Sequence, residues 1–150
     1  MKNKYLTPIF AIATLIFATL ACALPSPAPT ATAASTSVPT CDPSKAAITL
    51  TKQDNGKPIA LKKGEILAIS LASNATTGFE WNVGEIDNNF LRYDAKDYFG
   101  TGFAVGSGGT ETLCFTAINI GKTSLSVIYH RPFEKNVAPI DTFKIAVEIK

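Results

Sequence analysis

Short runs of alternating side chains, each broken by turn residues, constrain this chain more than any other feature. In EILAISLAS, Leu67, Ile69 and Leu71 fall on one face, and Ala68, Ser70 and Ala72 on the other. A period of two marks a half-buried strand, because successive side chains of extended backbone point to opposite sides. The rhythm recurs along the chain. AITLTK alternates Ile48 and Leu50 with threonines, and GFEWNV puts Phe79, Trp81 and Val83 on one side. FLRYDA reads as a short strand, and ETLCFTAI sets Leu113, Phe115 and Ala117 inward with Cys114 facing away. TSLSVIY aligns Leu125, Val127 and Tyr129, and TFKIAVEI aligns Phe143, Ile145, Val147 and Ile149. No long stretch has helical spacing. Seven to eight short strands in roughly 110 residues predict an all-β fold, an immunoglobulin-like antiparallel β-sandwich. A closed barrel suits the same alternation.

The strands occupy only the later part of the chain. MKNKYLTPIFAIATLIFATLAC has a basic start at Lys2 and Lys4, an apolar run from Leu6 to Leu20 and a small-residue close, the layout of an export signal over 1–21. Ala21 and Ala23 fit an ordinary secretory cleavage site. TLAC resembles a bacterial lipoprotein box, in which Cys22 would be lipidated, with Thr19 in place of the usual leucine. Residues 22–41 are Pro/Ala/Ser/Thr-rich and nearly uncharged, so they cannot bury enough surface to fold and read as a semi-extended tether. A tether between a lipid and a domain favours the lipoprotein, at the cell surface, over free secretion. The folded domain is then 42–150.

Charge and cysteine content narrow the possibilities further. With Lys2 and Lys4 set aside, the 14 basic residues fall to 12, matching 12 acidic ones. There is no basic stripe, so nucleic-acid binding has no electrostatic footing. Membrane contact is expected through the lipid alone, and the domain is read as a monomer. Export to an oxidising compartment permits Cys41 and Cys114 to pair, although separate thiols fit the sequence equally well. No cofactor or metal is expected. His130 is the only histidine, which removes multi-histidine sites, and nothing in the sequence brings a cysteine to it. Asp94 and Asp97 read as solvated turn residues. The chain is therefore not expected to be an enzyme.

Three connections carry chemistry that a core does not need. In SNATTG, Asn74 can start a bend, Gly78 can take positive φ, and the hydroxyls of Thr76 and Thr77 can cross-link the loop into a stiff wedge. GTGFAVGSGGT resembles a phosphate loop only superficially, since Glu111 stands where a dinucleotide fingerprint needs glycine and no Lys-Ser/Thr follows. It reads as a mobile surface loop, in which Phe103 and Val105 would be odd for a plain spacer. In HRPFEK, Arg131 and Pro132 break strand periodicity and Phe133 sits in a turn flanked by charge, a composition typical of contact anchors. In an immunoglobulin-like sandwich these three connections can gather at one end.

The ordered set NATTGFEW, GSGGTETLCF and SVIYHRPFE resembles the chagasin family of cysteine-peptidase inhibitors. That family's marks are an N-P-T-T-G-[FY]-x-W loop, a glycine-rich loop and an R-P-W loop, and the likeness covers essentially the whole domain. The resemblance implies a papain-like cysteine peptidase as partner, reversibly and competitively blocked. The wedge Asn74, Ala75, Thr76, Thr77, Gly78 and Phe79 would enter its active-site cleft. Gly106, Gly108 and Gly109 would clasp one side, and Arg131, Pro132 and Phe133 the other. Trp81 would support the wedge from the core. Ala75 stands where the family has proline, and Phe133 where it has tryptophan; both differences bear on affinity and target preference. An adhesion or ligand-binding module of the cell envelope is the alternative for such a fold.

Overall fold

The computed structural model describes residues 40–150 except Phe103 and Val105. The export signal, Cys22 and most of the tether lie outside the described residues, as do the two apolar side chains singled out in the glycine-rich loop. Among the described residues, eight strands form two four-stranded sheets. They are β1 (Ile48–Leu50), β2 (Pro58–Leu61), β3 (Ile66–Ser73), β4 (Glu80–Ile86), β5 (Leu91–Gly100), β6 (Gly109–Ala117), β7 (Gly121–His130) and β8 (Asp141–Ile149). One sheet has the order β1-β3-β6-β5 and the other β2-β8-β7-β4. The central pairings are antiparallel, while β1 joins β3 and β2 joins β8 in parallel at the edges. The entering chain splits between the sheets, with β1 beside β3 in one and β2 beside β8 in the other. A 3-10 turn, Lys52–Asp54, carries the chain across before Pro58 opens β2.

The inward rows fill the space between the sheets. Leu67, Ile69, Leu71, Leu113 and Phe115 from one sheet meet Leu125, Val127, Phe143 and Ile145 from the other, all buried. The alternation in the sequence selects these side chains. Ala68, on the opposite face of β3, is equally buried because the segment entering β1 lies over it. That segment is held by a disulfide between Cys41 and Cys114, with Cα atoms 5.4 Å apart, and by the Asp97 carboxylate, which accepts from the Cys41 N–H at 2.8 Å.

Two aspartates depart from the sequence reading. Asp94 and Asp97 are strand residues of β5 and not solvated turn residues. The Asp94 side chain is only 14% exposed and accepts from Arg92 Nε at 2.7 Å and Thr116 Oγ1 at 2.5 Å. The cause is a bulge between Tyr93 and Ala95, which shifts the phase of the strand and hides its continuation to Gly100.

Candidate functional site

The three unusual connections join β3 to β4, β5 to β6 and β7 to β8. The first loop, 74–79, is a single 3-10 turn over Ala75–Thr77 capped at both ends. Asn74 Oδ1 accepts from the Thr76 N–H at 3.2 Å and its hydroxyl at 2.7 Å, while Thr77 Oγ1 donates to the Asn74 carbonyl at 2.6 Å. Gly78 closes the turn at φ 77°, a conformation that costs a residue with a Cβ far more than glycine. Ala75, Thr76 and Thr77 are left exposed at its crest. Two neutral hydroxyls thus spend their bonds inside the loop, which fixes its shape at the folding stage.

Within the second loop, 101–108, hydrogen bonds join the described residues. Thr101 donates through both its N–H and its hydroxyl to the Gly108 carbonyl, and Ser107 Oγ lies 3.0 Å from the Gly102 carbonyl and 2.6 Å from that of Ala104. Gly106 takes φ 86°. Gly109 begins β6 where a Cβ would collide with the Phe99 carbonyl and the Tyr98 ring, so only glycine lets these strands close. In the third loop, 131–140, Arg131 and Glu134 pair at 2.8 Å across a turn, and Phe133 is 69% exposed.

Side chains then tie the loops to one another. Asn74 Nδ2 donates to the Gly106 carbonyl at 3.2 Å, joining the first loop to the second. Arg131 Nε donates to the Thr77 carbonyl at 3.1 Å, and its guanidinium lies 4.4 Å from the centre of the Phe79 ring. The Phe133 ring covers Gly78 so closely that a Cβ there would stand 3.0 Å from it. Arg131, Phe133 and Phe79 therefore join the first loop to the third. A Cβ on Gly108 would stand 3.3 Å from the Ser73 carbonyl at the base of the first loop, and Pro132 is exposed beside Arg131. The wedge residues, the three glycines and the Arg-Pro-Phe triplet lie at one end of the sandwich.

Support from beneath comes partly from residues that sequence reasoning left in the core. The Tyr129 hydroxyl accepts from the Asn74 N–H at 3.0 Å, and its ring packs 5.5 Å from Phe79 and 4.9 Å from Trp81. Trp81 Nε1 donates to the Ala72 carbonyl at 2.9 Å. Glu111 and Lys96 were also missed. Glu111 Oε2 accepts from the Trp81 N–H at 2.5 Å, and Lys96 Nζ contacts the Trp81 carbonyl and Glu80 Oε2, each at 3.0 Å. A tyrosine at the end of an apolar row was a usable signal, since a buried phenol needs a partner. Hydrogen bonds to Asn82 and Lys96 hold the Glu80 carboxyl below its usual range. Cys41 and Cys114, being joined to each other, offer no thiolate to His130, whose Nε2 sits 3.2 Å from Asn82 Nδ2.

Comparison with known proteins agrees with this arrangement. The profile of the chagasin family peptidase inhibitor I42 matches residues 60–147. Amoebiasin-1 of Entamoeba histolytica is 31% identical over 105 residues, covering 69% of this chain and 100% of that protein. Chagasin of Trypanosoma cruzi is 29% identical over 96 residues, covering 56% and 81%. The solution structure of Amebosin superposes with a TM-score of 0.59 at 28% identity, over 69% of this chain and 97% of that one. EhICP2, a cysteine protease inhibitor from Entamoeba histolytica, shares the fold with a TM-score of 0.62 at 20% identity, over 69% and 96%. By sequence profile, by relatives matched over most or all of their length and by fold, this chain belongs to the chagasin family of peptidase inhibitors.

Proposed function

We propose that this protein is a reversible, competitive inhibitor of papain-like cysteine peptidases, exported and held at the cell surface by lipid on Cys22 and the tether 22–41. The observation that carries this reading is the tying of three loops into one surface by Asn74, Arg131 and Phe133. A crest of Ala75, Thr76 and Thr77 enters the cleft over the catalytic cysteine. The Gly106, Gly108 and Gly109 side and the Arg131, Pro132 and Phe133 side rest on the cleft walls. No reactive group is required. The ordering cost is met when the domain folds, so little is lost on docking. Neutral hydroxyls also carry no unpaired charge into the cleft.

The leader, the uncharged tether and the disulfide support export, since disulfides persist in oxidising compartments. Mixing the purified protein with papain and with trypsin, and following residual hydrolysis, tests the function. Loss of papain activity with trypsin untouched is expected. Unchanged activity across a panel of papain-like peptidases would shift the reading to an envelope adhesion or ligand-binding module. Intact mass of the exported protein tests the lipid.

A further inference from the structure

Glu111 is a carboxylate inside an apolar sandwich, only 4% exposed, and packing alone does not call for one there. It lies on β6 two residues beyond Gly109, opposite Leu71 on β3 and Tyr98 on β5. Its partner is in the other sheet. Trp81 belongs to β4, the edge strand of that sheet, and faces Tyr129 on β7. Both polar backbone groups of Trp81 turn away from β7, where no further strand among the described residues receives them. Glu111 takes the N–H and Lys96 of β5 takes the carbonyl. Two side chains of one sheet thus replace a missing neighbour strand of the other.

The position of this bond along the chain matters as much as its strength. Trp81 follows Phe79 and Glu80, so it is where the first loop re-enters the sandwich. Glu111 sits just past the point where the second loop re-enters. We propose that Glu111 is a positioning residue for inhibition, fixing the first loop against the second through the Trp81 backbone; this rests on the inhibitor reading above. A buried carboxylate is costly to desolvate and is often replaceable by an apolar residue without loss of stability. Its retention here follows from the backbone donor it holds in place. A hydrogen bond to an ionised acceptor is stronger than a neutral one, which suits a joint that must hold a loop still.

The test compares Glu111→Leu with Glu111→Gln in the full chain. Leucine fills the volume and removes the acceptor; glutamine keeps a carbonyl that can receive the Trp81 N–H. Inhibition of papain is expected to weaken about 10-fold or more in Glu111→Leu and to stay within about 3-fold in Glu111→Gln, as loss of a preordered loop predicts. Amides of Thr77 and Gly78, which close the first loop by bonding to the Asn74 and Ala75 carbonyls, should exchange about 10-fold faster in the leucine variant. Trp81 is the only tryptophan, so its emission should move in the leucine variant and not in the glutamine one. Equal inhibition and exchange in the leucine variant and the wild type would overturn the proposal, leaving Glu111 as filler. A glutamine variant as weak as the leucine one would overturn it too. Should leucine prevent folding, the glutamine variant decides: a Trp81 amide proton moved upfield with first-loop exchange preserved supports the joint, and an unmoved proton overturns it. If the wild type fails to inhibit papain, the functional reading falls, while the exchange rates still decide whether Glu111 positions the loop.

Discussion

The two ends of the sandwich are built on different terms. At one end the strands reverse through 62–65, 87–90 and 118–120; at the other through 74–79, 101–108 and 131–140. The short turns meet mostly backbone to backbone, as when the Gly64 N–H donates to the Ala117 carbonyl and the Ile118 N–H to the Phe90 carbonyl. Such bonds survive most substitutions. The long loops meet through the side chains of Asn74, Arg131 and Phe133, and they leave Phe133, Val137 and Ile140 exposed. One end merely returns the chain, while the other depends on particular residues. Changes at the first should register in stability, and changes at the second in binding.

The largest expected effect lies away from both ends. Cys41 and Cys114 are 73 residues apart in sequence, and closing a loop of that size contributes about 4 kcal/mol in the chain-entropy account. Replacing both by serine should lower the unfolding free energy by about 2–4 kcal/mol in urea titrations. Inhibition measured below the unfolding temperature should be unchanged, because Cys114 stands well down β6 from the loops. A loss of inhibition with the fold intact would mean that the disulfide reaches the loop surface.

Thr77→Arg attacks the loop end directly. It places a bulky charge on the crest and removes the bond to the Asn74 carbonyl. Inhibition should weaken by about 100-fold or more, roughly 3 kcal/mol. The unfolding free energy should fall only by what one exposed hydrogen bond contributes, about 1 kcal/mol. Potency that survives would remove the crest from the contact.

Ala75→Pro changes the loop end in the favourable direction. Ala75 opens the 3-10 turn, where proline's fixed φ is acceptable, and Asn74 before it is already extended at φ −134° and ψ 93°. The variant should gain about 0.4–1 kcal/mol in stability and bind a few-fold more tightly. A worse inhibition constant would contradict the stiffness argument.

The smallest effect concerns acid. Glu80 is held below the usual carboxylate range by Asn82 first and by Lys96 second. A lowered value in the folded state contributes stability that is present above the unfolded value and lost as pH falls through the folded one. Because the side chain is 38% exposed, solvent screens the contribution to well under ~1 kcal/mol. Glu80→Gln should therefore slightly flatten the fall in thermal midpoint between neutral pH and about pH 3. An unaltered slope would leave Glu80 without a role there.

How much of this was legible in the sequence follows from the physics of each element. Strands with one face in the core announced themselves, and Leu67, Ile69 and Leu71 or Phe143, Ile145 and Val147 point where the alternation puts them. β2 was hidden because PIAL is short and opens on proline. β5 was cut short because its bulge changes the phase of the pattern. In the site, the turn chemistry of Asn74, Thr77 and Gly78 was readable because it is local. Tyr129 was signalled by its place at the end of an apolar row, but its partner was not, and neither were the Lys96 and Glu111 contacts, because each joins residues far apart in sequence.

In the proposed function, a preformed tip plugs a peptidase cleft without reacting. Steady-state hydrolysis by papain at several substrate concentrations, with the inhibitor's mass checked afterwards, tests it most directly. The apparent KM should rise with inhibitor while kcat holds constant, and the inhibitor should be recovered uncut and unmodified. A falling kcat at constant KM, or an inhibitor recovered cleaved or covalently attached to the enzyme, would contradict it.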